Sequence, residues 1–442
     1  MVCLRRHDVA CTHRSRLRLR TVVTAPANTF AAIVKRLIRW TVLREGSLRL
    51  RGPGVPPEPG IAWLTEGVIV ALASSRRTFL ISGAAAITVA GQSQPARRIS
   101  PQLRYRMLGR TGLRVTELGV GSEAVSDISV LERALDSGLN FFDTARSYQS
   151  GNAEQALGAA LRGKRDKVVL CTRSYAHNPQ QIAADLDASL KALGTDHVDV
   201  WYLGQRDDPT KVTPEMLEVQ RAAQKAGKTR FRGLSSHRIG RLADLVIEQK
   251  IDVVQIPYSF AIGSRRDPYK MDSADLDTSL NRLKSAGVGV VAMKVMAGGY
   301  LRGRAGAHVA AIRWALRDDR IQTTSVRMSD VDQLLENLGA MSAGGYSDGD
   351  AALLAASLSE ISSVLCRMCG ACEGQCPQGV PASDVVRSVM YAEGYGVYEM
   401  GRAAFERTAG RLACAHCEAC TVDCPNGVNV RERMARAAQL FS

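Results

Sequence analysis

Residues 134–148 read ALDSGLNFFDTARSY: the end of an amphipathic helix pattern (VLERALDSG), then a short apolar run, NFFDTA at 140–145, that closes on Asp143. A strand whose residues are continuously apolar is one buried on both faces, as in a parallel sheet covered by helices. The same unit recurs along the chain. Its strands are ELGVGS (117–122), KVVLCTR (167–173), HVDVWYL (197–203), RFRGLSS (230–236), DVVQIPYS (252–259), GVGVVAMK (287–294) and IQTTSVR (321–327), with amphipathic stretches such as IAADLDASLKALG between them. Eight β/α units within residues 101–343 predict an α/β fold, the (β/α)8 TIM barrel. Chemistry on that fold gathers at the C-terminal ends of the strands.

Those ends carry a family pattern. MLGRTGLRVTELGVGS (107–122), ALDSGLNFFDTARSY (134–148), AGKTRFRGLSSH (226–237) and GVGVVAMKVMAGG (287–299) occur in register with the eight strands. Together they resemble the aldo-keto reductases. The resemblance spans the central region and implies reduction of a small-molecule carbonyl by NADPH without a metal, and a hairpin at 107–116 plugging the barrel bottom. It also implies a tetrad of Asp, Tyr, Lys and His. Asp143 and Tyr148 match the first two, with Tyr148 as general acid, a phenol whose ordinary pKa near 10 needs tuning to act at neutral pH.

The other two positions depart from the pattern. Arg173 stands where the lysine is expected; its fixed charge can hold Asp143 and depress the Tyr148 pKa, but it is no proton relay. Gly204 stands where the histidine is expected, which removes a donor to the carbonyl oxygen. Restoring Lys and His is therefore expected to raise carbonyl reduction. For the nucleotide, the resemblance implies Ser235, Ser236 and Gln255 at the nicotinamide, and Glu336 and Asn337 on the adenine side; where the family has a small glycine loop, SVRMS offers Arg327 to a phosphate. Singly, each reads as a polar strand end or helix surface wetted by solvent; together they read as a pocket. His177, His197 and His308 have no partners at metal spacing, and Cys171, inside a strand, reads as a small buried hydrophobe. His237 follows the fifth strand and reads equally as facing the pocket or lying in a loop.

Eight of the 11 cysteines lie in residues 366–442. Cys366, Cys369, Cys372 and Cys376 form a C-x2-C-x2-C-x3-C-P run, and Cys414, Cys417, Cys420 and Cys424 repeat it. This spacing is that of two 4Fe–4S clusters, the fourth cysteine of each run ligating the other cluster. Cluster one then takes Cys366, Cys369, Cys372 and Cys424, and cluster two takes Cys414, Cys417, Cys420 and Cys376. Zinc and disulfides use less specific spacings. The helix-like runs between the motifs predict a mainly helical, two-cluster ferredoxin-type domain over 350–442, with Ala351–Leu365 as the helix leading into it.

The net charge of +15 resides in the leader: residues 1–100 hold 16 Lys and Arg against four acids, leaving 42 basic and 39 acidic residues beyond. A nearly neutral body without a basic, aromatic-interleaved stripe argues against a nucleic-acid partner. No apolar run reaches the length of a membrane span. The leader is expected to be disordered, apart from 74–91, SSRRTFLISGAAAITVAG, which resembles a twin-arginine export signal built on Arg76 and Arg77. That implies an exported protein; a cytoplasmic one is the alternative. Two functions fit the whole: an oxidoreductase coupling a barrel site to the clusters, and an electron-transfer or docking protein, with a redox partner, on a barrel that has lost its chemistry.

Overall fold

The computed structural model describes residues 102–442 except 124, 126, 263–272, 302–303, 343, 410–416, 418–419 and 442. Earlier in the chain it describes two paired strands, Ala62–Thr65 and Val68–Ala71. The rest of the leader, with its Arg76–Arg77 segment, lies outside the described residues, as do Cys3, Cys11 and Cys414.

All eight expected runs form strands: β1 Leu118–Gly121, β2 Phe141–Asp143, β3 Val169–Ser174, β4 Val198–Leu203, β5 Thr229–Ser235, β6 Val253–Pro257, β7 Gly289–Met293 and β8 Thr323–Arg327. They pair in parallel and in sequence, and β8 returns to β1 to close the barrel. Parallel closure hides the strands between two apolar layers. Inside, Phe141, Val169, Cys171, Val200, Tyr202, Val253 and Val291 fill the lumen. Outside, the strands meet the apolar stripes of the helices: α1 Ile128–Asp136, α2 Asn152–Ala160, α3 Pro179–Leu193, α4 Pro214–Lys225, α5 Ile239–Glu248, α6 Ser273–Ser285, α7 Ala307–Leu316 and α8 Val331–Leu338.

Local chemistry sets several helix starts. Asn178 before Pro179, Thr213 before Pro214, and Asp330 each accept a first-turn N–H, the orphan donors of a helix N-terminus. The plug hairpin, Tyr105–Met107 with Arg114–Thr116, buries Leu108, Leu113 and Val115 against the lumen residues. Its tip uses Gly109 at φ +52°, where a Cβ would lie 2.3 Å from the Gly289 nitrogen; only glycine allows that approach.

Residues 97–442 form one compact unit. The tail begins with α9, Asp348–Ile361, opened by a Ser347–Asp350 capping box and packed on α7. After the first cysteine run come α10 Ala382–Val389, a π-helical turn Met390–Gly394, α11 Tyr398–Ala409 and α12 Val430–Phe441. Val385, Val389, Phe405, Val430 and Met434 form their core. Among the described residues no helix is long and apolar enough to cross a membrane.

Candidate active site

The barrel register brings the strand-end residues to one level. Asp143 on β2 pairs with Cys171, and Arg173 leaves β3 one pleat higher, beside Tyr202 on β4. Asp143 and Arg173 are 3% and 2% exposed and form a direct ion pair. Gln255 completes the arrangement: its Oε1 accepts from Arg173, and its Nε2 donates to Asp143 at 3.0 Å. Ser325 also donates to Asp143 at 3.0 Å, and Arg173 Nε donates to the Thr144 carbonyl at 3.2 Å. A buried charge pair is tolerable only with this degree of satisfaction. Arg173 thus does hold Asp143. Gln255, expected at the nicotinamide, is occupied at both ends by the pair.

Tyr148 follows β2 in a strained turn, with Gln149, Ser150 and Gly151 all at positive φ. Arg146, bonded to buried Glu154 at 3.0 Å, backs that turn, and Thr172 fixes Glu154 from β3 at 2.7 Å. Strain that its surroundings over-determine is typical of functional loops. The Tyr148 hydroxyl lies 3.4 Å from the hydroxyl of Tyr175. Enclosure pushes the Tyr148 phenol well above its ordinary pKa; Tyr175 adds to this, and the Arg173 charge opposes it without prevailing. The guanidinium acts in the expected direction, lowering the phenol's pKa, but desolvation is larger.

Gly204 has a physical reason. A Cβ there would lie 2.8 Å from the Tyr175 ring, so the space beside β4 is filled by a tyrosine from β3. Histidine at 204 would meet that ring, so the expected repair by Arg173→Lys with Gly204→His also requires Tyr175 to move aside.

The pair and both phenols open into a cavity of about 1140 Å³. Ser235, Gln255, Arg327, Glu336 and Asn337 line it too. Ser236 is not among its lining residues: fully buried, it donates to Asp207 at 3.2 Å and accepts from the Arg238 amide. His237 does face the cavity, its Nδ1 2.9 Å from Asp207. His177 and His308, set aside in the sequence, are wall residues, whereas His197 pairs with Asp196 on the surface and Cys171 is buried in the lumen.

The tail forms the roof. The π turn aims Tyr391 and Tyr395 into the cavity; Lys294, at φ +57° after β7, donates to the Tyr395 hydroxyl at 2.9 Å and lies 5.1 Å from both ring centres. Glu123 faces the same space, its pKa raised by burial against the opposing charges of Lys294 and Arg327. Barrel and tail meet backbone to backbone, since a Cβ on Gly394 would lie 2.2 Å from the Gly298 oxygen. Glu373, within the first cysteine run, pairs with Arg238 and with Arg241 at 3.5 Å.

Sequence reasoning missed Tyr175, Lys294, Glu123 and the two roof tyrosines. For the first two, their position at strand ends was an available signal. The seven described cysteines of the tail form no disulfides. Burial pushes Cys366 up to about 12, and burial with neighbouring Cys369 and Cys424 raises Cys372. Cys366, Cys372, Cys376 and Cys424 pack on the tail core, whereas Cys417 and Cys420 are exposed. Among the described residues no three His, Cys, Asp or Glu side chains gather as a site for a single metal ion.

Comparison with known proteins agrees with the barrel. Residues 117–308 match the aldo/keto reductase family. The uncharacterised oxidoreductase YrpG of Bacillus subtilis is 29% identical over 269 residues, 54% of this chain and 80% of its own. L-glyceraldehyde 3-phosphate reductase of Escherichia coli is 26% identical over 312 residues, 54% of this chain and 88% of its own. Among solved structures, the aldo-keto reductase AKR11C1 of Bacillus halodurans aligns with a TM-score of 0.49 at 23% identity, covering 58% of this chain and 96% of that one. Residues 117–308 thus resemble the aldo/keto reductase family, and the chain is an oxidoreductase.

Proposed function

We propose that the chain reduces a small-molecule carbonyl, or oxidises the matching alcohol, at the cavity beneath the tail, with NADPH as the hydride source and two 4Fe–4S clusters in the tail as an electron store. The observation that supports this reading best is the buried Asp143–Arg173 pair, in one cavity with Tyr148 and with Ser235, Arg327, Glu336 and Asn337.

These residues fit a dinucleotide: Arg327 offers a cation to a phosphate, while Glu336 and Asn337 offer polar partners to a ribose or base. The bound nucleotide would supply hydride. Tyr148 would hold the proton for the carbonyl oxygen, and the fixed Arg173 charge would stabilise the phenolate left behind. The cysteines fit iron–sulfur cubes by chemistry and loop shape. All donors are thiols, Cys366, Cys369, Cys372 and Cys424 influence one another, and the first run bends through Met368, Gly370 and Gly374 at positive φ. Export by the Arg76–Arg77 signal, which carries folded proteins, agrees with clusters inserted before transport.

One observation favours the second reading, an electron-transfer protein on a silent barrel. Gln255 is locked between Asp143 and Arg173 and not free to hold a nicotinamide amide. NADPH titrated into the anaerobically iron-reconstituted full chain separates the two. Quenched intrinsic fluorescence with bleached cluster absorbance is expected. An absence of binding at millimolar NADPH would remove the reductase reading and leave the electron carrier.

A further inference from the structure

Two phenol hydroxyls meet at the cavity floor, 3.4 Å apart. That is long for an O–H···O bond, which prefers about 2.7–2.8 Å, so neither proton is committed to the other phenol. One acceptor oxygen can stand within hydrogen-bond distance of both hydroxyls, and a carbonyl oxygen has two lone pairs for them. We propose that Tyr175 is a second catalytic phenol, donating a hydrogen bond to the substrate oxygen that Tyr148 protonates.

The chain takes care over where Tyr175 sits. Its ring lies over Gly204, where any side chain would intrude. The backbone on either side is fixed as well. The Gly204 amide donates to the Ser174 carbonyl at 2.8 Å, and Ser174 Oγ accepts from the Ala176 amide at 3.1 Å and contacts Asp185 at 2.5 Å. Beneath them Arg206, 1% exposed, donates to the carbonyls of both Gly204 and Ala176. A buried guanidinium that bridges two backbone carbonyls, one on each strand end, pins the tyrosine to the glycine it covers. Such pre-organisation makes a donor effective, because it need not reorganise as charge develops.

In the step this supports, which rests on the carbonyl-reduction reading above, hydride from a reduced nicotinamide bonds to the carbonyl carbon and the C=O π pair moves onto oxygen. Tyr148 gives that oxygen its proton and is left as phenolate beside Arg173. Tyr175 keeps its proton throughout and stabilises the developing negative charge. The products are the alcohol and the oxidised nicotinamide, and solvent reprotonates Tyr148.

The test has two arms on the full, iron-loaded chain. In the first, without nucleotide, 4-nitrophenolate reports on the site, since its visible band shifts to the blue when its oxygen accepts hydrogen bonds. Wild type should bind it with a shifted band. Tyr175→Phe should weaken binding about 10- to 100-fold, the range for a hydrogen bond to a charged acceptor. Unaltered binding by Tyr175→Phe, or an unshifted band in wild type, overturns the proposal. In the second arm, NADPH and 4-nitrobenzaldehyde are the substrates. Tyr175→Phe should lower kcat about 10²- to 10³-fold with little change in KM, and wild-type turnover by this variant also overturns the proposal. If wild type leaves the aldehyde unreduced while the phenolate arm behaves as expected, the reductase reading falls and the two-phenol oxyanion site stands.

Discussion

At the scale of single residues, the site is a set of exchanges in which one substitution explains another. Arg173 brings a planar fork where a single ammonium was expected, and the fork is filled: Asp143, Gln255 and the Thr144 carbonyl take its donors. Gly204 lacks a side chain because Tyr175 fills the space. It follows that Gly204→His should fail as a repair. Forcing an imidazole against a ring whose neighbouring backbone is held by Arg206 should cost about 1–3 kcal/mol by overpacking, read as a lower urea midpoint, with no gain in carbonyl reduction. Adding Tyr175→Ala should recover most of the lost stability, because it empties the same space. If Gly204→His alone keeps wild-type stability, Tyr175 is free to move aside and the fixed geometry argued here is wrong.

At the scale of elements, the barrel was legible and its junctions were not. Each strand showed as an apolar run because both its faces are buried, so VVQIP and GVVAM announced themselves without partners. The Asp143 and Tyr148 positions were readable for a related reason: they follow directly from strand ends. Tyr175 follows a strand end too, but its role was not readable, because it depends on what the neighbouring strand lacks, and that needs the β3–β4 register. Ser236 was misplaced by one pleat, since alternate residues at a strand end face opposite ways.

The barrel bottom shows what such junctions contribute. Asp318, just past α7, accepts from the Tyr258 hydroxyl at 2.6 Å and from Arg320, which also reaches Asp277 and Asn281 on α6. Burial acts to raise its pKa, but the Arg320 and Tyr258 hydrogen bonds prevail and hold it at about 2. The folded value lies below the ordinary 3.8, so this stabilisation is complete above pH 3.8 and is lost as pH falls toward 2. Asp318→Asn should therefore flatten the acid limb of stability between about pH 4 and 2 by about 1 kcal/mol after solvent screening, measured as urea midpoint against pH. At the barrel mouth, Gly394→Ala should drive a Cβ into the Gly298 carbonyl and push the π turn off the barrel. Faster hydrogen exchange over 390–400, with β1–β8 unchanged, would report that loss; unchanged exchange there would mean the contact yields freely.

At the scale of the whole molecule, the tail is both a domain and the roof of a site it does not build alone. Its own apolar core is small, with Val385, Val389, Phe405, Val430 and Met434 near the centre. A small apolar core contributes little stability by itself, and the described cysteines form no disulfides. Thiol-bound clusters would therefore be part of the tail's folding energy rather than an addition to a finished fold. The roof residues Tyr391 and Tyr395 lie at the end of α10, one helix away from the first cysteine run. On the proposed two-cluster reading, losing the clusters should then affect the cavity through α10. Iron removal by chelation under oxidising conditions is expected to strip hydrogen-exchange protection from α10, α11 and α12 while β1–β8 keep theirs. Nucleotide should also bind at least tenfold more weakly, because Lys294 loses its Tyr395 partner and the cavity opens to water. If α10–α12 keep their protection without iron, the barrel contact at Gly298 and Gly394 suffices to hold the tail, and the proposed clusters do not shape the site.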